Sequence, residues 1–219
     1  MYVANKVLAD IYAHAEETFP EECCGLVVAK GHVIQVIRAE NIAHEPWGTF
    51  KIDPVLYLRH INDIEMVYHS HPNSSSVPTE ADKASSERLG KPYLIVSWPA
   101  REVSRYVPEG HRAPLEGRSF VYGIFDCLSI VEDYYEEQGD PLSRADRPPY
   151  NWWEGTRDYA GEWYERNGFK PVSDVQRGDV LVMRVGTCKV PNHVGIYLDG
   201  GLILHHTLEG LSRVEVYGG

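Results

Sequence analysis

Two groups of residues along the 219-residue chain have the types and spacing to do chemistry. The first is His69-Ser70-His71-Pro72, followed by Thr79 and Asp82. Two imidazoles two residues apart on an extended segment, with a carboxylate one turn into the next element, are three of the four ligands of a catalytic zinc ion. The fourth position of such an ion stays open for water, whose pKa it brings to about 7. A separate carboxylate must then shuttle the proton. Glu22, just before Cys23-Cys24-Gly25, is the best candidate for that role. The second group is Asp126-Cys127 at the mouth of a helical pattern, with His193 and His205 on later strand-like segments. A thiol, a base and an orienting group make a nucleophilic site. The chain therefore reads as two hydrolase sites in series.

Each reading has a plain alternative. A His-x-His pair can be a polar strand end, and a cysteine can be a buried inert thiol. For Cys127 the reactive form is the thiolate, which a helix N-terminus and a nearby imidazolium favour. Asp126 as helix cap offers the first and His193 the second. His205 lies twelve residues after His193, across Asp199-Gly200-Gly201, so the two can meet on neighbouring strands. His206 is the alternative third member, on the opposite face of a regular strand.

The elements that must position these groups can be read from periodicity. Val7, Leu8, Ile11, Tyr12 and Ala15 have helical spacing, stopped by Pro20. Gly25–Ala29 and Val33–Ile37 read as strands of a hairpin turning at Lys30-Gly31-His32. Asp53-Pro54 starts a helix with Val55, Leu56, Leu58 and Ile61 on its apolar side. Ile64–Tyr68 is a strand delivering His69 and His71 at its end, side by side because side chains alternate. Thr79 caps a helix with Asp82 on its first turn. Tyr93–Trp98 and Val103–Val107 are further strands. This half is α/β, a mixed sheet with flanking helices. Pro108–Arg118, rich in Gly and Pro, is the linker candidate, so the domains are expected at 1–112 and 113–219. In the second half, Cys127, Ile130, Val131 and Tyr134 follow helical spacing, and a further helix is expected around Tyr159–Arg166. Val180–Val185, His193–Leu198 and Leu202–His206 are strands, and a short strand-like run precedes Tyr217. A cysteine-bearing helix on a histidine-bearing antiparallel sheet is α+β.

The net charge is −11, and both halves are acidic, which argues against nucleic acid as a partner. No apolar run reaches the roughly 18–20 residues of a membrane span, and Met1–Lys6 has no signal-peptide pattern. Expression in the cytoplasm without membrane insertion is the expectation. Four cysteines in so long a chain do not make a disulfide framework.

Glu22, His69-x-His71, Thr79 and Asp82 resemble the motif of JAMM (MPN/JAB) metallopeptidases over roughly residues 1–110, and the likeness extends to Phe50-Lys51-Ile52-Asp53. The resemblance implies that Glu22 is the acid/base, that His69, His71 and Asp82 bind Zn2+, and that Thr79 takes the place of a serine that stabilises the tetrahedral intermediate. Thr79 departs from that serine by a methyl group. Asp126-Cys127, Arg177-Gly178-Asp179-Val180, His193-Val194-Gly195-Ile196-Tyr197 and His205 resemble NlpC/P60 cysteine peptidases. That resemblance implies a papain-like fold cleaving peptidoglycan stem peptides at γ-D-glutamyl-diaminopimelate bonds, with Cys127 as nucleophile, His193 as base and His205 as orienting residue. Leu128-Ser129 departs from the Ser-Gly usual after the cysteine.

The order of the halves is similar to a family of tail-assembly proteins of lambda-type siphophages. It implies other tail-tip proteins as partners, assembly in the host cytoplasm, a place at the virion tail tip and action in the periplasm. Two alternatives stay open, a structural tail-tip plug with relic sites and a bacterial cell-wall remodelling hydrolase. Tyr122 could reach substrate or sit in the core. Trp152, Trp153 and Trp163 could line a sugar groove or pack. Cys23 and Cys24 read as packing at a strand start, and Cys188 as a loop thiol or part of a second metal site.

Overall fold

The computed structural model describes residues 5–31, 33–145 and 147–218. The chain divides into two compact units, Met1–Arg112 and Ala113–Gly219. His32 of the expected hairpin turn and residues Met1–Ala4 lie outside the described residues.

The first unit is a five-stranded mixed sheet in the order β2-β1-β3-β4-β5. Strands β1 (Cys24–Lys30) and β2 (Val33–Ala39) form the hairpin, and β3 (Ile64–Pro72) runs antiparallel to β1. Strand β4 (Tyr93–Trp98) is parallel to β3, and β5 (Val103–Tyr106) closes the edge antiparallel to it. A parallel neighbour demands a crossover, which here contains helix α3 (Glu80–Leu89). Helix α1 (Asn5–Thr18) covers one face, where Val7, Ile11 and Ala15 pack with Val27, Met66, Tyr68, Leu94 and Val96. The other face buries Leu26, Val28, Val67, Tyr93 and Ile95 beneath Phe50, Ile52 and Tyr57.

Two sequence expectations change here. Strand β3 does not stop at Tyr68: pairing with β4 carries it to Pro72, so His69 and His71 lie inside the strand. Helix α2 (Pro54–His60) starts as expected, with Asp53 accepting the Val55 N–H, but it does not bury its aliphatic side. Val55 and Leu58 are 62% and 63% exposed, because the larger ring of Tyr57 makes the contact with the sheet.

Gly25 shows how tightly this unit is built. A Cβ there would lie 2.3 Å from the Ile37 carbonyl oxygen and 2.6 Å from the Tyr68 hydroxyl. That phenol is fixed by a 2.8 Å hydrogen bond to Nδ1 of buried His14. Gly25→Ala is therefore expected to destabilise the unit by about 1–3 kcal/mol or more, the usual cost of overpacking, as a lowered urea midpoint at unchanged slope. An unchanged midpoint would show that β1 can move away from Tyr68.

The second unit packs helix α4 (Cys127–Glu137) on β7 and β8 of a four-stranded antiparallel meander, β6-β7-β8-β9. The strands are β6 (Val180–Met183), β7 (His193–Leu198), β8 (Leu202–His205) and β9 (Arg213–Val216). The core joins Ile130 and Val131 of α4 to Trp163 and Tyr164 of helix α5 (Tyr159–Arg166) and to Val194, Ile196 and Leu204 of the sheet. Trp163 is thus a core residue, its indole N–H donating to the Ser143 carbonyl.

Candidate active sites

Alternation along β3 puts His69 and His71 on one face and Ser70 on the other. Ser70 Oγ accepts the Cys23 N–H at 2.8 Å and its own N–H donates to the Cys23 carbonyl. These bonds extend the β1–β3 ladder past Cys24↔His69, which brings Glu22 beside the two histidines. Asp82 arrives from α3. Thr79 caps that helix, its Oγ1 accepting the Asp82 N–H, while Asp82 Oδ2 accepts from Thr79 N at 2.8 Å and Thr79 Oγ1 at 2.7 Å. The single hydroxyl proton of Thr79 is thus directed at Asp82, and the side chain acts here to orient that carboxylate.

The three side chains converge in a buried cluster. Nε2 of His69 and Nε2 of His71 are 3.1 Å apart, and Asp82 oxygens lie 3.1 Å from the first and 3.4 Å from the second. His71 Nδ1 is 2.7 Å from the Ser75 carbonyl oxygen, which can only accept. Nδ1 therefore carries the proton, and Nε2 presents a lone pair to the cluster. Phe50 stacks on His69 with centroids 4.5 Å apart, and Tyr93 meets it edge-on. Three ligand atoms lie within 4.8 Å of one another. Two imidazole nitrogens and a carboxylate suit a zinc ion, so this cluster could hold one.

Without a cation the three groups are coupled through protons. Burial alone would raise Asp82, but the charge of His69 and hydrogen bonds from His69, His71 and Thr79 hold its carboxyl far below the usual range. Burial alone would lower His71, yet Asp82 and the Ser75 carbonyl raise it. Glu22 is buried, which pushes its carboxyl up to about 7, with His69 and His71 opposing. A carboxyl poised there can take or give a proton near neutrality.

In the second unit, Asp126 caps α4: its Oδ1 accepts the Ser129 N–H and Ser129 Oγ accepts the Asp126 N–H. This seats Cys127 at the first helical position. It packs against the cluster that contains Val194, the residue after His193. His193 Nε2 lies 2.8 Å from His205 Nδ1. Gly195, paired with His205 in the ladder, makes this approach possible, because a Cβ there would lie 2.9 Å from His205 Cβ. Burial, reinforced by the charge of Asp126, pushes the Cys127 thiol up to about 12. Burial and the charge of His205 push His193 down to about 4, against Glu215. Both shifts favour the neutral forms, a thiol and an imidazole, over the thiolate and imidazolium. His206 is buried with its ring edge-on to Phe120.

Comparison with known proteins places these two units. Residues 4–108 match the model for prokaryotic homologs of the JAB domain, and residues 117–219 that for the NlpC/P60 family. The tail tip assembly protein K of Escherichia phage N15 is 36% identical over 98% of this chain and 90% of its own length. The chain belongs to the tail tip assembly protein K family. The protein K of Escherichia phage lambda is 32% identical over 71% of this chain and 75% of its own length. A crystal structure of a JAB1/MPN domain protein from Archaeoglobus fulgidus is 22% identical, covering 52% of this chain and 95% of that one at a TM-score of 0.38. The two matched segments, JAB and then NlpC/P60, follow the order of the two units.

Two residues in contact with His205 and Asp126 escape a reading of the sequence. One is Glu215 on β9, with Oε1 2.8 Å from His205 Nε2. The other is Arg147, whose guanidinium forks onto both oxygens of Asp126 at 2.7 and 2.9 Å and also reaches Glu132 at 3.2 Å. All three side chains are nearly inaccessible. Arg147→Met would leave buried Asp126 without a cationic partner and Glu132 with Arg144 alone at 3.4 Å, and breaking such a network costs about 3–5 kcal/mol. Denaturant unfolding is expected to show that loss; less than about 1 kcal/mol would mean that the carboxylates reach water. Tyr122 donates its hydroxyl to the Pro148 carbonyl and meets Tyr150 edge-on. Trp152 and Trp153 are half-exposed in an edge-to-face run with Tyr150 and Tyr159. Cys23 and Cys24 are buried thiols raised by burial, and Cys188 accepts from Asn192 Nδ2.

Proposed function

We propose that this chain is a tail-tip peptidase with two separate sites, of which the thiol site cuts peptidoglycan stem peptides at γ-D-glutamyl-diaminopimelate bonds. The observation that carries this reading is the 2.8 Å contact of His193 with His205 beside a cysteine mounted on a helix start. His205 occupies Nε2 of His193, so Nδ1 is the nitrogen left for the thiol. Because thiol and imidazole are both neutral at rest, the proton moves from Sγ to His193 as sulfur attacks the scissile carbonyl carbon. His193 then gives that proton to the departing amine, which leaves a thioester. It next takes a proton from the water that hydrolyses the thioester, and returns it to the sulfur.

In the first unit, His69, His71 and Asp82 would hold Zn2+, with Thr79 orienting Asp82 and Glu22 carrying the proton between water and the leaving amine. A bound zinc ion would supply Lewis acidity and water activation. The substrate proposed for this site is a peptide or isopeptide bond of a protein met during assembly. Assembly would occur in the host cytoplasm with other tail-tip proteins as partners, and wall cleavage in the periplasm from the virion tail tip. No helix among the described residues is long and apolar enough to cross a membrane.

A second reading, a tail-tip plug with relic sites, is favoured by the high pKa of Cys127, about 12. Incubating the full chain with diaminopimelate-type sacculi and analysing released fragments by mass spectrometry separates the two. Peptides ending in γ-D-glutamate support the peptidase. No release across several such walls leaves the plug.

A further inference from the structure

We propose that Glu215 is a positioning residue of the thiol site, setting the direction in which the two histidines pass their protons. The inference rests on the reading of Cys127 as nucleophile and His193 as base. Strands β7, β8 and β9 lay the three side chains in a row. Gly195 pairs with His205, and His193 lies two residues before it; Arg213 pairs with His205, and Glu215 lies two residues after it. His205 thus has His193 at Nδ1 and the Glu215 carboxylate at Nε2, both at 2.8 Å. The carboxylate approaches off the axis of a straight hydrogen bond. Arg213 Nε holds its other oxygen at 2.7 Å, and Glu215 is part-exposed while His205 is buried.

A neutral imidazole has one N–H and one lone pair, so the pair can be wired in two directions. A carboxylate can only accept. Facing His205 Nε2 at 2.8 Å, the negative carboxylate of Glu215 favours the proton there, which makes His205 Nδ1 an acceptor and puts the His193 proton on Nε2. His193 Nδ1 is then the bare nitrogen that can receive the Cys127 proton. In the opposite wiring His205 Nδ1 donates, His193 carries its proton on Nδ1, and no base faces the thiol. Without Glu215 no other acceptor among the described residues is found at His205 Nε2 to hold the productive direction, because the His193–His205 contact is equally good either way.

The test uses the full chain with 15N-labelled histidine. Long-range 1H–15N correlation at neutral pH reads each tautomer, and turnover of a defined stem peptide is followed in parallel. Wild type is expected to show His205 and His193 both protonated on Nε2. Glu215→Ala should move His193 toward the Nδ1–H form and lower kcat about 10–100-fold, the usual scale for losing a group that orients a functional histidine, with KM nearly constant. Glu215→Gln, which keeps an acceptor oxygen, should restore most of both readouts. Arg213→Gln, which leaves the carboxylate on His205, should change neither by more than about two-fold. Unchanged tautomers in Glu215→Ala would overturn the proposal. So would an equal loss in Arg213→Gln, which would reduce Glu215 to a tie between β8 and β9. If wild type is inactive on the peptide but the tautomers respond as described, the wiring stands and the peptidase reading fails.

Discussion

Cys127→Ala is expected to abolish release of stem-peptide fragments from diaminopimelate-type peptidoglycan, lowering the rate by on the order of 10⁴-fold or more, as removal of a covalent nucleophile does elsewhere. Cys127 is the thiol at the start of the helix that packs on the His193 strand, so its loss removes the acyl-enzyme. His193→Ala should be nearly as severe, because that ring takes the thiol proton and later protonates the leaving amine. His205→Ala should cost less, since it only orients the base. Glu22→Gln, in the other unit, should leave this activity intact. The pH profile carries its own signature. With the base at about 4, protonation disables it only in acid. The kcat/KM of wild type should rise through pH about 4 and then hold through neutrality, where an unperturbed histidine would give an acid limb near 6.5. Wild-type digestion by the Cys127 variant would sink the assignment outright, and an acid limb near 6.5 would place the base elsewhere than in this buried pair.

What spacing makes legible, and what it cannot, follows from how each residue is placed. His69 and His71 share a face through strand alternation, and Asp82 reaches them because position N3 of a capped helix points its side chain back at the cap. Both are local rules, and the convergence of the three can be read without coordinates. The pairing of His193 with His205 is one step less local, depending on a turn at Asp199-Gly200-Gly201 that sets the β7–β8 register. Glu215 and Arg147 lie beyond such rules. Each is one charge among many in an acidic, aromatic stretch of chain, and acquires a role only when β9 pairs with β8 or when Arg147 meets the start of α4. The charge state of Cys127 is likewise a tertiary property. A helix N-terminus argues for a thiolate, but packing against the core of the second unit and the neighbouring Asp126 carboxylate argue more strongly for the thiol. Helix α2 errs in the same way, since helical spacing marks an apolar side without saying whether anything covers it.

Purified from zinc-replete cells, the protein is expected to hold about one zinc per chain, and His71→Ala to lose it. The physical case is the state of the cluster itself. Two imidazole nitrogens 3.1 Å apart share a buried space with a carboxylate, and one of them is committed to a lone pair by the Ser75 carbonyl. A cation satisfies all three at once. Asp82→Asn should also lose the metal, since it removes the only anionic ligand of the three. Thr79→Val tests the orienting role assigned to the hydroxyl. It keeps the side-chain shape but deletes the hydroxyl that donates to Asp82 Oδ2, and zinc affinity should fall about 10–100-fold, the scale for losing a hydrogen bond to a ligand. The helix also loses its cap in that variant, at about 1 kcal/mol, so affinity is compared with an unfolding curve of the same sample. Thr79→Ser restores the hydroxyl and should restore both. Elemental analysis that finds folded wild-type protein free of zinc, with His71→Ala indistinguishable from it, would count decisively against a metallopeptidase half. Zinc retained in full by Asp82→Asn would instead move the site away from these three residues.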